Sequence, residues 1–266
     1  MQYIFIIAVG LVAGIATGLI GASGVMIIVP GLIMLEYSAS SSIGASLFAD
    51  AIASLVVAWT YYQHKNLNLK QGWWIALGSV LGAQIGSIIS PHIPDAGLGN
   101  SFGIFLIASA VIFWMRGRRK LKPQAQDGEK TVNREKQSAI IKLLRSNVIL
   151  SGFLLGMLVG IISGLIGAGG GVMILLILVF VMGYTTHEGV GTSTLIMAFT
   201  AASGAIGHAM TGHLPIKAAI YSAIGTVVGG RFAARFANKV NEAVLSKVVG
   251  AVFGVLGIIM LINIGK

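Results

Sequence analysis

The chain has 266 residues, of which 56% are hydrophobic and only 10% charged, with a formal net charge of +10 and a mean hydropathy of +0.89. A soluble domain carries roughly 25% charged residues, so this composition excludes one and defines an integral membrane protein. The apolar runs are continuous and do not alternate, which excludes a transmembrane β-barrel and sets the fold class as all-α, while the absence of cysteine removes disulfides, thiolate metal sites and thiol chemistry.

Hydropathy predicts ten segments, at 3–20, 25–35, 43–62, 71–90, 97–115, 147–166, 172–183, 189–210, 216–234 and 244–264. Most approach the roughly 20 residues needed to cross a hydrocarbon core. The segments 25–35 and 172–183 are only about half that length. Met1-Gln2-Tyr3 supplies no basic leader and no small-residue cleavage site follows closely, so 3–20 is expected to stay in place and not to be removed as a signal peptide. Each short segment follows a glycine-rich loop and reads as a half-helix or the returning arm of a re-entrant hairpin, with two full crossings as the alternative. Non-helical backbone at that depth is tolerated only where protein or a cavity surrounds it, because lipid cannot satisfy its amides.

The two glycine-rich stretches are copies of one another. Gly10–Gly24 against Gly156–Gly170 is identical at nine of fifteen positions, and after one inserted residue, Gly171, a constant offset of 147 aligns Gly44 with Gly191, Ser46 with Ser193, Lys70 with Lys217, Gly78 with Gly225, Gly82 with Gly229 and Gly103 with Gly250. Internal repeats with glycine-broken helices in an apolar chain are the signature of a secondary transporter.

The repeats, 1–115 and 147–266, are joined by a polar stretch, 116–146, in which ten Lys/Arg meet three acids. Short basic loops mark the cytoplasmic side, so this stretch reads as a basic cytoplasmic linker and not as a nucleic-acid-binding element. With five segments per repeat, a cytoplasmic linker places the two repeats in inverted topology with both termini outside. The loop charges agree: Lys65 and Lys70, then Arg235, Lys239 and Lys247, fall on the cytoplasmic side, and Glu36 and Asp95 on the other, with Lys217 and Lys266 as exceptions. The expected location is the cell (inner) membrane.

Several residues are candidates for chemistry. Gly21, Ser23 and Gly24 in the first loop, and Gly167, Gly169, Gly170 and Gly171 in the second, present free amides at a helix start, where the positive end of the helix dipole favours an anion. Close helix packing is the competing explanation; it is preferred for the Gly14/Gly18 and Gly160/Gly164 pairs, and anion binding is preferred for the loops. Ser46, Thr192 and Ser193 either donate to a bound oxyanion or bond their own helix carbonyls. Asp50 is the one acid inside an apolar segment, where a charge costs about 3 kcal/mol on insertion scales. It is a candidate proton carrier or a structural group near a helix end, and its repeat equivalent is Met197. Gln84 and Arg231 are also equivalent; Arg231 either attracts the anion or, the preferred reading, snorkels with Arg235 to the interface. The five histidines are scattered over predicted loops and segment ends without ligand spacing, so no metal site is expected.

At these residues the chain resembles the TauE/SafE family of sulfite exporter-like membrane transporters. The resemblance rests on the twin runs Gly14–Gly24 and Gly160–Gly171, the small-hydroxyl turns at Gly44 and Gly191, and the helices of Gly78/Gly82 and Gly225/Gly229. It implies a carrier for a small sulfur-containing anion such as sulfite or an organosulfonate, with export the expected direction. Ser23 stands where the second copy has glycine, and Gly171 has no counterpart, so the two loops are not equal.

The function expected is therefore secondary transport of that anion by alternating access around a midplane site, without cofactor. The alternatives are an anion channel or a non-transporting membrane scaffold. No nucleophile–base pair or metal cluster suggests an enzyme. The expected partners are the anion and the lipid bilayer, without nucleic acid, and the sequence leaves open whether the protein forms a homodimer.

Overall fold

The computed structural model describes residues 2–70, 72–89, 110–111, 114–115, 147–166 and 170–263. The linker 116–146, most of the expected segment 97–115, and Gly167 and Gly169 lie outside the described residues. The described elements are α1 (Gln2–Ile20), α2 (Val25–Ile33), α3 (Ala39–Gln63), α4 (Gly72–Ile89), α5 (Val148–Ile166), α6 (Gly171–Leu176) continued by a π-helical turn (Ile177–Val181), α7 (Thr186–Met210), α8 (Ile216–Ala237) and α9 (Glu242–Asn263). Every regular element among the described residues is helical. By length and composition α1, α3, α4 and α7 can each cross a membrane.

Local chemistry sets the boundaries. α3 begins at Ala39, ahead of the expected residue 43, because the Ser38 hydroxyl accepts from the Ser41 amide at 3.2 Å. α7 begins at Thr186 because Thr185 and Glu188 form a capping box. These polar first turns satisfy amides that no helical carbonyl reaches, and hydropathy passes over them. α2 stays short, with Pro30 inside it and Glu36, at φ 67, just beyond its end. In the second repeat the equivalent helix widens into the π turn, where the Met182 amide bonds the Ile177 carbonyl at 3.0 Å.

The duplication extends to the backbone. At the offset of 147, α3 and α7 start and stop at equivalent residues. The left-handed residues Glu36 (φ 67) and Lys65 (φ 60) likewise fall on Gly183 (φ 79) and Gly212 (φ 76).

Packing crosses between the repeats. A Cβ added at Gly10, Gly14 or Gly18 of α1 would fall on the carbonyl oxygens of Ser222, Thr226 and Gly230 of α8, in that order, so these helices run parallel in close contact. The equivalent Gly156, Gly160 and Gly164 of α5 meet Ile75, Ser79 and Ala83 of α4 in the same way. Glycine permits this approach because it brings no side chain between the backbones. The preferred packing role of the Gly14/Gly18 and Gly160/Gly164 pairs is thus what the contacts show.

Between these outer pairs lie α3 and α7, which run antiparallel: Gly44 lies against His208, and Gly191 against Tyr61. Both are largely buried. α2 folds back along α1, with Gly24 against Ala13 and Gly31 against Val9. Ile20, Val25, Val57, Tyr61, Val172, Leu175 and Val190 join both repeats in one apolar cluster around the loops.

Candidate functional site

The site is built where the α1–α2 connection meets the start of α6. α1 closes with the Gly21 amide bonding the Thr17 carbonyl at 2.9 Å, and Gly21 then turns the chain at φ 64. Gly170 caps α6 at φ 65. Both lie in the left-handed region that suits glycine. The two loops touch directly, since a Cβ on Gly171 would fall on the Gly21 carbonyl oxygen and lie 2.6 Å from Met197 Sδ. Ala22 and Ser23 are buried at the same place.

Asp50 stands across from the first loop. It is fully buried; its Oδ1 accepts the Gly24 amide at 3.0 Å and its Oδ2 accepts the Ser23 hydroxyl. Ser23 Oγ in turn accepts the Val25 amide at 3.2 Å. The chain's own carboxylate therefore sits at the positive end of α2, where an anion is stabilised. Because α3 starts at Ala39 and ends at Gln63, Asp50 is in mid-helix, and its expected position near a helix end is corrected by the early Ser38 cap.

The hydroxyl candidates separate. Ser193 lies at the first loop, its Oγ 2.8 Å from the Cβ position of Gly21, and donates to the Val190 carbonyl at 3.1 Å. Thr192 points elsewhere: its Oγ1 accepts the Asn68 amide at 3.0 Å and donates to the Asn68 carbonyl at 3.2 Å, which fastens the α3–α4 connection. Ser46 is fully buried with no partner. Gln84 donates from Nε2 to the Ser203 carbonyl at 2.8 Å, joining α4 to α7. Arg231 is exposed on α8.

His208 was not singled out by sequence reasoning, which placed the histidines in loops and at segment ends. It lies in the last turn of α7, at a segment end as expected, and is fully buried, with neither ring nitrogen bonded. Its ring lies near the Gly164 carbonyl. The offset of 147 pairs it with Tyr61, whose hydroxyl donates to the Gly18 carbonyl at 3.1 Å. That pairing was the available signal.

A helical bundle with crossed repeats, several helices long and apolar enough to cross a membrane and a buried polar centre defines a multi-pass membrane protein. A family model described as sulfite exporter TauE/SafE matches residues 6–260, and the chain belongs to that family. It is similar to two proteins of Bacillus subtilis named as probable membrane transporter proteins: YunE, 24% identical over 97% of this chain and 96% of the relative, and YdhB, 27% identical over 96% and 99%. A probable membrane transporter protein of Methanocaldococcus jannaschii is 26% identical over 97% of this chain and 94% of its own length. No solved structure matches the chain.

Proposed function

We propose that the protein is a secondary transporter of a small sulfur-containing anion, sulfite or an organosulfonate, exporting it across the cell membrane by alternating access. The observation that carries this reading is the backbone contact between Gly171 and Gly21 beside buried Asp50, which brings broken helices from both repeats to one polar point inside an apolar bundle. Helix starts meeting near the midplane at a repeat interface are how secondary carriers hold ions and substrates.

Inverted topology belongs to this proposal. It is supported by α3 and α7, which are equivalent, long enough to span and antiparallel. Two helices so related are exchanged by an axis perpendicular to their length, which lies in the plane of the membrane. The fold-back of α2 along α1 supports a re-entrant hairpin. Single cysteines at Gln63 and Gln126 are expected to react only from the cytoplasm, and those at Ser40 and Ala96 only from outside. Labelling of Ser40 and Gln63 from the same side would remove the inverted arrangement.

Function is tested with purified protein in liposomes, screened with sulfite, sulfoacetate, thiosulfate and sulfate with and without a pH gradient. Saturable uptake that responds to the gradient is expected. Unsaturated conductance would identify a channel, and no flux a scaffold. Gly171→Val is expected to lose both uptake and anion-induced thermal stabilisation, because its side chain enters the loop contact. Ser23→Ala should be milder, since it removes one hydroxyl and leaves the amides. Unchanged anion binding in folded Gly171→Val would reduce the loops to packing elements.

A further inference from the structure

The two repeats carry equivalent polar positions, and within each equivalent pair one member is satisfied and the other is not. In the set at the N-terminal loop, Tyr61 donates to the Gly18 carbonyl at 3.1 Å, Thr17 to the Ala13 carbonyl at 3.0 Å, and Ser193, which reaches this loop from the C-terminal repeat, to the Val190 carbonyl at 3.1 Å. Their repeat equivalents are His208, Ser163 and Ser46. All three are fully buried, and none of their side-chain nitrogens or oxygens has a hydrogen-bond partner. Buried polar groups in native proteins are bonded almost without exception, so a set of orphans calls for something that bonds them.

These positions lie on helices that contact one another. Ser163 and Gly164 are adjacent on α5; His208 lies near the Gly164 carbonyl, and Ser163 Cβ lies 3.6 Å from the Cβ position of Gly170 at the start of α6. Gly44, two residues before Ser46, lies against His208 Cβ at 3.1 Å from its own Cβ position. The other fully buried orphan hydroxyls, Ser42, Ser54 and Ser222, have Gly189, Ala201 and Ile75 as equivalents, so the comparison of repeats assigns them nothing.

The two halves also differ in the ionisable group that stands beside them. Beside the N-terminal set stands Asp50, bonded by Ser23 and Gly24; beside the C-terminal set the equivalent residue is Met197, which has no charge. One half thus contains its own carboxyl group and satisfied polar groups. The other contains neither, and its orphans are hydroxyls and an imidazole, all able to donate.

We infer that the transported oxyanion binds on one side of the pseudo-twofold axis, in the C-terminal half-site, with His208, Ser46 and Ser163 as its donors, while the N-terminal half-site is closed by Asp50. This rests on the transporter reading and narrows it, from a site shared by two loops to one asymmetric pocket. His208 is accordingly a substrate-binding residue, and Tyr61 its structural counterpart.

The test uses the full-length protein with sulfite and sulfoacetate as probes, reading the concentration that half-saturates both thermal stabilisation in detergent and uptake in liposomes. His208→Gln and Ser46→Ala are each expected to raise that concentration about tenfold, as for the loss of one hydrogen bond to a charged group. Tyr61→Phe, at the equivalent position of the other half, should leave it unchanged. Ser46→Ala removes a single oxygen and keeps the test open if His208→Gln fails to fold. Wild-type saturation in Ser46→Ala and His208→Gln, alongside normal uptake, would overturn the inference, assign the orphans to ordered water and leave the transporter reading standing. A wild-type protein that neither binds nor moves the probes would overturn both.

Discussion

Gly14→Val is expected to leave little folded protein at the temperature where the wild type is stable. The added Cβ would fall on the Thr226 carbonyl oxygen and within 2.8 Å of the Gly230 amide nitrogen, both backbone atoms of α8. A side chain can rotate away from a new methyl group; a helix backbone can yield only by moving bodily. Separating α1 from α8 would also open the neighbouring contacts of Gly10 and Gly18, so the cost should reach about 3 kcal/mol, the upper part of the range for overpacking. Gly212→Ala is the comparison. It sits at φ 76 with nothing within 4 Å of its Cβ position, so it meets only the strain of a left-handed residue, about 1–2 kcal/mol. The thermal midpoint of purified protein measures both, and Gly14→Val melting no lower than Gly212→Ala would contradict the tight α1–α8 seam.

The second large effect concerns Asp50, and two substitutions separate its structural and coupling roles. Asp50→Ala leaves the Gly24 amide and the Ser23 hydroxyl without their acceptor, each costing about 1–3 kcal/mol when buried. It should therefore lower the thermal midpoint strongly and abolish uptake. Asp50→Asn keeps the volume and one acceptor oxygen but removes the ionisable group. If the carboxylate carries the coupling proton, Asp50→Asn should still be stabilised by the anion yet lose the response of uptake to a pH gradient. Preserved coupling in that variant would restrict Asp50 to holding the start of α2.

Much of the architecture is legible in the sequence because glycine spacing is a direct record of backbone contact. The constant offset of 147 and the glycine pairs of α1 and α5 anticipate the duplicated helices and their close seams. Helix starts are less legible, since hydropathy begins counting at Ile43 and Gly189 while the backbone begins at Ser38 and Thr185, whose oxygens cap it. That error also displaced Asp50 toward a helix end. At the centre, Gly21, Ser23, Gly24 and Asp50 do come together, but the same residue types at Thr192 and Gln84 serve the α3–α4 connection and the α4–α7 contact. Residue type alone does not reveal which helix face a hydroxyl occupies. His208 was missed because a lone histidine has no spacing to betray it, and its equivalence to Tyr61 acquires meaning only when the Gly18 contact is seen.

The crossed packing of α1 on α8 has a consequence for how the molecule is made. Helix α1 finds its partner only when Ser222 and the residues after it have been synthesised, 212 positions beyond Gly10. At ordinary rates of translation that interval is on the order of ten to forty seconds. Throughout it α1 presents its row of glycines to lipid or to a membrane insertion factor, with its future neighbour absent. Neither half of the gene encodes a unit that can complete its own helix seams, so two separately expressed halves should need each other to persist.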